Sequence, residues 1–209
     1  MKTFLFVICY FSVAAWAAAT TRITMFRNEK VIVYDEILHP AENESGSDDL
    51  PSITVYLSDG PVQITSEAGK RVTVNVKRGE VVFRGPKAWK HYASGTSEVR
   101  FIRIEFRGPG AEEKKGGAGA TPQGHVLMDN ACARVYEMRI PVGTGESFSP
   151  RDDGVVVFLS GAELKHTPPG GHTETSRLKP GQCVWHGGQT QIDDYLGKDD
   201  FWAIAVEPK

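Results

Sequence analysis

The sequence predicts an all-β protein assembled from two tandem copies of one β-unit. Three observations carry this prediction. Apolar residues recur with a period of two, and no sustained stretch shows a helical period. Turn formers are abundant, with 22 glycines and 12 prolines in 209 residues. The chain also resembles itself at a fixed offset of 102 positions.

The period is clearest in Val72-Thr73-Val74-Asn75-Val76 and in Ile102-Arg103-Ile104-Glu105-Phe106. Successive strand side chains point to opposite faces, so such alternation builds one apolar face. Val155-Val156-Val157-Phe158-Leu159 is a β-branched run bounded by Gly154 and Gly161. Forty per cent of the residues are hydrophobic, enough for packed cores.

The repeat holds its register along the chain. Val33-Tyr34-Asp35-Glu36 returns as Val135-Tyr136-Glu137, and Val55-Tyr56-Leu57-Ser58 as Val157-Phe158-Leu159-Ser160. Lys77-Arg78-Gly79-Glu80 returns as Lys179-Pro180-Gly181-Gln182, Phe83 meets Trp185, and Gly85 meets Gly187. Ile102, Ile104 and Glu105 meet Ile204, Val206 and Glu207. A slip of one residue would turn a buried face outward, so shared register implies shared packing.

These features divide the chain. Residues 20–107 form the first domain, 108–124 a flexible Gly-rich linker and 125–209 the second domain. The linker holds Gly108-Pro109-Gly110, the charges Glu112-Glu113-Lys114-Lys115, and Gly116-Gly117-Ala118-Gly119. Residues 1–19 read as a cleaved signal peptide: Lys2, the apolar run Phe4–Ala15, then small residues at Ala15-Trp16-Ala17 and Ala17-Ala18-Ala19. The apolar run is short for a membrane span, so the expected product is secreted or periplasmic and free of the membrane.

Net charge is −2, which leaves no basic surplus for phosphates and argues against a nucleic-acid partner. The mature chain keeps Cys132 and Cys183, which are either a disulfide or two buried thiols.

Each copy has a strand ending in a turn (Val55–Gly60 and Val157–Gly161). A variable hairpin follows, then Lys-x-Gly-Glu/Gln and a hydrophobic strand (Gly79–Phe83 and Gly181–Trp185). In this order of motifs the sequence resembles the cupin superfamily, over about residues 31–107 and 131–207. The resemblance implies two cupin-type jelly-roll, or double-stranded β-helix, domains: a bicupin with a β-barrel in each half.

The resemblance also implies a place for a divalent metal, held by two histidines and a carboxylate of the first motif and a histidine of the second. The first-motif stretches here are Asn43–Leu50 and Glu146–Asp153, and neither contains a histidine. Pro86-Lys87-Ala88-Trp89-Lys90-His91 matches the end of the second motif, with Ala88 where glycine is usual and Gly85 as an inserted residue. His91 is therefore the histidine at a family ligand position, while Asp193 takes its place in the second copy. No cofactor is expected. If a divalent transition metal binds in the first domain, His91 with Asp48, Asp49 and Glu44 is the candidate set. The simpler reading makes residues 42–49 a solvated loop and His91 a strand-end residue. Asn43-Glu44-Ser45 also matches a glycosylation sequon.

Four residues are ligand-binding candidates: Arg84, Trp89, His91 and His186. Arg84 and His186 occupy the same repeat position. If that position faces the interior, Arg84 can bind an anionic ligand and His186 can carry a proton. Trp89 is placed in a loop at the barrel mouth, and Trp202 in the core. No Ser-His-Asp ordering, CxxC pair, phosphate loop or His-Glu-x-x-His motif is present.

Three functions follow as expectations. The first is an exported bicupin-like protein that binds a small molecule or serves a structural role without catalysis. The second is a metal-dependent oxygenase or isomerase with a non-standard site in the first domain. The third is a carbohydrate-binding module. The assembly is a monomer or homodimer.

Overall fold

A computed structural model of the chain describes residues 21–40, 43–47, 50–65, 70–86, 88–93, 97–108, 124–144, 147–148, 152–167, 173–187 and 192–209. Of 43–47, 65, 88–93, 147–148, 166–167 and 192–193 it describes the backbone alone. The expected signal peptide and nearly all of the expected linker lie outside the described residues.

Every regular element among the described residues is a strand. The first half runs β1 (Thr21–Arg27), β2 (Val31–Leu38), β3 (Asn43–Ser47), β4 (Ser52–Tyr56), β5 (Gly60–Thr65), β6 (Arg71–Val76), β7 (Val81–Arg84), β8 (Ala88–Ala93) and β9 (Val99–Phe106). The second runs β10 (Gly124–Asp129), β11 (Ala133–Ile140), β12 (Ser147–Phe148), β13 (Gly154–Phe158), β14 (Ala162–Thr167), β15 (Glu174–Leu178), β16 (Cys183–His186), β17 (Ile192–Tyr195) and β18 (Phe201–Pro208).

The halves share one topology. The first builds a five-stranded sheet, β1-β2-β9-β4-β7, and a four-stranded sheet, β3-β8-β5-β6. The second builds β10-β11-β18-β13-β16 and β12-β17-β14-β15, the same orders nine strands later. Each half is thus a two-sheet jelly roll. The expectation of a barrel is corrected here: among the described strands no ladder joins the five-stranded to the four-stranded sheet, so neither half closes.

Local chemistry repeats with the topology. A bulge interrupts β1 between Thr24 and Phe26, and β10 between Val126 and Met128. The Asn28 side-chain oxygen accepts from Lys30 N and Val31 N at 2.9 Å each. Asn130 does the same for Cys132 N and Ala133 N at 2.9 and 3.0 Å. The turns before β7 and β16 place Gly79 and Gly181 at φ +83° and +84°. In each turn the residue after the glycine accepts a backbone N–H through its side-chain oxygen: Lys77 N to Glu80 Oε2 at 2.9 Å, Lys179 N to Gln182 Oε1 at 2.6 Å. Glutamate and glutamine both supply that oxygen, which explains why the two copies differ there.

The central strands of the five-stranded sheets bury both faces, while the outer strands β1 and β10 are largely exposed. One face of each sheet meets the other half. Val31, Val33, Ile53, Val55, Ile102, Ile104 and Phe106 join Ala133, Val135, Val155, Val157, Leu159, Ile204 and Val206 in one apolar cluster. Burying one such aliphatic side chain is worth roughly 1.5–3 kcal/mol. The contact has two-fold character: a Cβ on Gly79 would meet Trp202 and Leu159, and one on Gly181 would meet Arg100 and Leu57. Trp202 packs against this cluster, between the Arg139 and Arg78 guanidiniums, with Nε1 donating to Glu137 Oε1 at 2.8 Å. Cys132 and Cys183 are both free thiols beside the same cluster, and burial pushes both thiols up.

Two local expectations are corrected. Residues 43–47 form β3, paired with β8, rather than a loop. Trp89 and His91 consequently lie within strand β8, not in a loop or at a strand end. Gly124 opens β10 by pairing with Met138, and His125, beside the expected linker, is a strand residue.

Candidate ligand-binding site

The opposite face of each five-stranded sheet lines the interior of its jelly roll. Antiparallel register aligns its side chains in rows across the strands. In the first half, one row runs Ile32, Glu105, Ser52, Arg84. The next runs Tyr34, Arg103, Thr54, Val82. The third runs Arg22, Glu36, Phe101, Tyr56. Polar side chains dominate this wall, and most of them are buried, with Arg22 exposed at its edge. Glu36, Ser52 and Thr54 are 0 % exposed, Arg84 1 % and Arg103 2 %.

Buried charges persist when they are paired. Glu36 lies between two arginines: Arg22 Nε donates to its Oε1 at 2.8 Å, and Arg103 Nη2 forms an ion pair with its Oε2 at 3.1 Å. Arg22 Nη2 also stands 4.0 Å from Glu105 Oε1, and its guanidinium lies 4.6 Å from the Tyr34 ring centroid. Arg84 Nη2 donates to Tyr56 Oη at 3.3 Å. Burial raises the Tyr56 phenol, and the Arg84 charge opposes that rise. Burial also raises Tyr34, as does the carboxylate of Glu105, to which it is hydrogen-bonded. Ser52 Oγ and Thr54 Oγ1, wholly buried on this wall, have no hydrogen-bond partner among the described residues.

The second half carries the same wall with different chemistry. At the positions of Glu36, Arg103, Thr54 and Tyr56 stand Met138, Ala205, Val156 and Phe158, all within one buried apolar cluster. Phe158 and Phe201 meet edge-to-face at 5.9 Å. Ser52 is replaced by Gly154, where an added Cβ would lie 2.6 Å from the Val206 carbonyl oxygen. That backbone approach leaves no room for a side chain. What remains polar is His186, 3 % exposed, Arg134 at the position of Ile32 with its Nε buried, and a buried pair in which Tyr136 Oη donates to Glu207 Oε1 at 2.9 Å. Burial raises the Glu207 carboxyl, and burial first, then Glu207, raises the Tyr136 phenol.

The predicted site residues fall into two groups. Arg84 and His186 are both buried on the inward wall, Arg84 opposite Ser52 and His186 opposite Gly154. Trp89 and His91 are placed by backbone alone: Trp89 pairs with Gly46, while His91 pairs with Glu44 on one side and Ile64 on the other. Asp48 and Asp49 lie outside the described residues. Among the described residues, no three His, Cys, Asp or Glu side chains converge as a metal-ligand group, so no step through a metal is derived. Sequence reasoning missed Arg22, Glu36, Ser52, Thr54, Arg103 and Glu105.

No family model and no curated protein matches the sequence. Solved structures do match in shape. A cupin 2 conserved barrel domain protein from Leptotrichia buccalis superposes with a TM-score of 0.60 and 14% identity, covering 92% of this chain and 90% of its own. The fold is that of the cupins. AerE from Microcystis aeruginosa gives 0.64 at 12% identity, covering 91% of this chain and 97% of its own. Oxalate decarboxylase from Lactobacillus farciminis, solved as a formate complex, gives 0.62 at 10% identity, covering 91% and 81%. At such identities the likeness establishes the cupin architecture, and activity must come from the side chains.

Proposed function

We propose that the protein is an exported bicupin that binds a small molecule without catalysis, with the first half as the binding half and the second as scaffold. One observation carries this reading. The inward wall of the first half is largely polar and buried, whereas at the positions of Glu36, Thr54, Tyr56 and Arg103 the second half has a packed apolar core. A core needs no buried guanidiniums, and apolar side chains of similar volume are often as stable or more so. A few polar groups converging on an interior are what orients a bound ligand. Export rests on the leader-like residues 1–19.

The test compares matched fillings of the two interiors. Wild-type protein is screened against neutral sugars and charged metabolites by thermal shift and tryptophan fluorescence. Binding should be abolished by Thr54→Phe and kept in Val156→Phe, with far-UV circular dichroism confirming that both variants fold. Binding lost only in Val156→Phe contradicts the assignment of the halves.

A metal-dependent enzyme is the second reading, favoured by the β3–β8 register, which sets Glu44 directly across from His91. It predicts stoichiometric transition metal in the purified protein, released in His91→Ala. Metal content unchanged in that variant removes it.

A further inference from the structure

We propose a further binding site at the seam between the halves, which takes a flat aromatic ring bearing one carboxylate and seats it on Arg78, Arg100 and Ser58. This site lies outside the first interior and does not depend on the reading of that interior.

The site is a cleft of about 320 Å³, lined by Leu57, Ser58, Arg78, Arg100, Leu159 and Pro180. Small-molecule sites begin at roughly 300 Å³. Both halves contribute, and a difference between the copies shapes the cleft. Leu57 and Leu159 share one repeat position, and Arg100 shares another with Trp202. Trp202 lies over Gly79 of the other half, and Arg100 lies over Gly181 in the same way. A guanidinium is smaller than an indole, and the cleft is bordered by Arg100 and Gly181 rather than by Trp202 and Gly79. Asp35 pins the guanidinium there: Arg100 Nε donates to Oδ1 at 2.9 Å and Nη2 to Oδ2 at 2.6 Å.

Trp202 shows what the seam accepts. Its ring sits between two guanidiniums, 4.1 Å from Arg139 and 5.3 Å from Arg78, with Leu159 beside it over Gly79. A ring entering the cleft meets the same kinds of neighbour, the guanidiniums of Arg78 and Arg100 and the side chains of Leu57 and Leu159.

The donors set the charge. Asp35 balances Arg100, and Asp59 balances Lys77 at 3.0 Å while its other oxygen accepts from Arg78 N at 2.8 Å. Among the described residues the Arg78 guanidinium forms no ion pair; its side-chain partner is the Trp202 ring. Arg100 Nη1 has no hydrogen bond among the described residues. Ser58 Oγ accepts from Arg100 N at 2.9 Å and keeps its own proton to give. A carboxylate accepts from guanidinium and hydroxyl alike, whereas a cation would meet two arginines.

The experiment uses the full chain and isothermal titration with four probes at matched ionic strength: trans-cinnamate, cinnamamide, cyclohexanecarboxylate and inorganic phosphate. Cinnamate should bind saturably and more tightly than the other three. Its affinity should fall at least ~5-fold in Arg78→Gln and less in Arg78→Lys. Arg100→Trp installs the residue that the second copy carries, where Nε1 donates to Glu137; the same N–H then meets Asp35 at the matching position. That variant should fold and lose cinnamate binding. Thr54→Phe, which fills the first interior, should leave it intact. Cinnamamide binding as well as cinnamate overturns the charge, and cyclohexanecarboxylate binding as well overturns the ring. Phosphate binding more tightly overturns both. Cinnamate binding lost in Thr54→Phe but unchanged in Arg78→Gln and Arg100→Trp moves the ligand into the first interior and overturns the seam. No cinnamate binding at all overturns the proposal and leaves the first interior untouched.

Discussion

Glu80 shows how a single side chain is chosen by one hydrogen bond. Its carboxylate oxygen holds Lys77 N at the turn that feeds β7, and Gln182 holds Lys179 N in the same way. The interaction needs an oxygen and no charge. Glu80→Gln should therefore leave stability within about 0.5 kcal/mol, whereas Glu80→Ala should cost about 1 kcal/mol. Urea unfolding of the two variants measures this, and equal losses would refute it. At this scale the sequence was informative where chemistry repeats: Gly79 with Gly181, Glu80 with Gln182, Arg84 with His186. It was silent on Arg103, Glu36 and Thr54. Period-two alternation in Ile102–Phe106 marks one apolar face but does not say what covers the other. The usable signal was the difference between copies, since each of these polar residues faces an apolar one, Ala205, Met138 or Val156, 102 positions on.

Strands decide what each wall can hold. β13 approaches β18 so closely at Gly154 that a Cβ would press on the Val206 carbonyl, while β4 carries Ser52 at the same place. Gly154→Ser should destabilise by roughly 1–3 kcal/mol, because backbone rather than a flexible side chain must move. Thermal denaturation tests this, and an unchanged melting temperature would show that the second wall has room after all. The strand orders were legible only as a family expectation. Register, however, was implicit in the repeat, because a constant offset demands a constant facing of side chains. β3 escaped notice because Asn43-Glu44-Ser45-Gly46-Ser47 has no apolar alternation and owes its strand character to pairing with β8.

As a whole, the molecule is two jelly rolls held face to face by the outward sides of their five-stranded sheets. Seven buried apolar residues from each half meet there, so neither half covers its own apolar surface alone. A protease site inserted within residues 112–116 should give two fragments that still elute together without denaturant. Fragments that separate and stay monomeric would contradict a shared core. The same duplication freed the two interiors to diverge, one keeping buried arginines, carboxylates and hydroxyls, the other closing into an apolar core with His186 and Glu207 at its edge.

The claim that the first interior is where a ligand goes is tested most directly by NMR of the arginine Nε–Hε groups during titration with the compound that the thermal-shift screen returns. The resonances of Arg84 and Arg103 should move along one saturation curve while the His186 ring stays unchanged. A saturable shift at His186 with none at either arginine would contradict it.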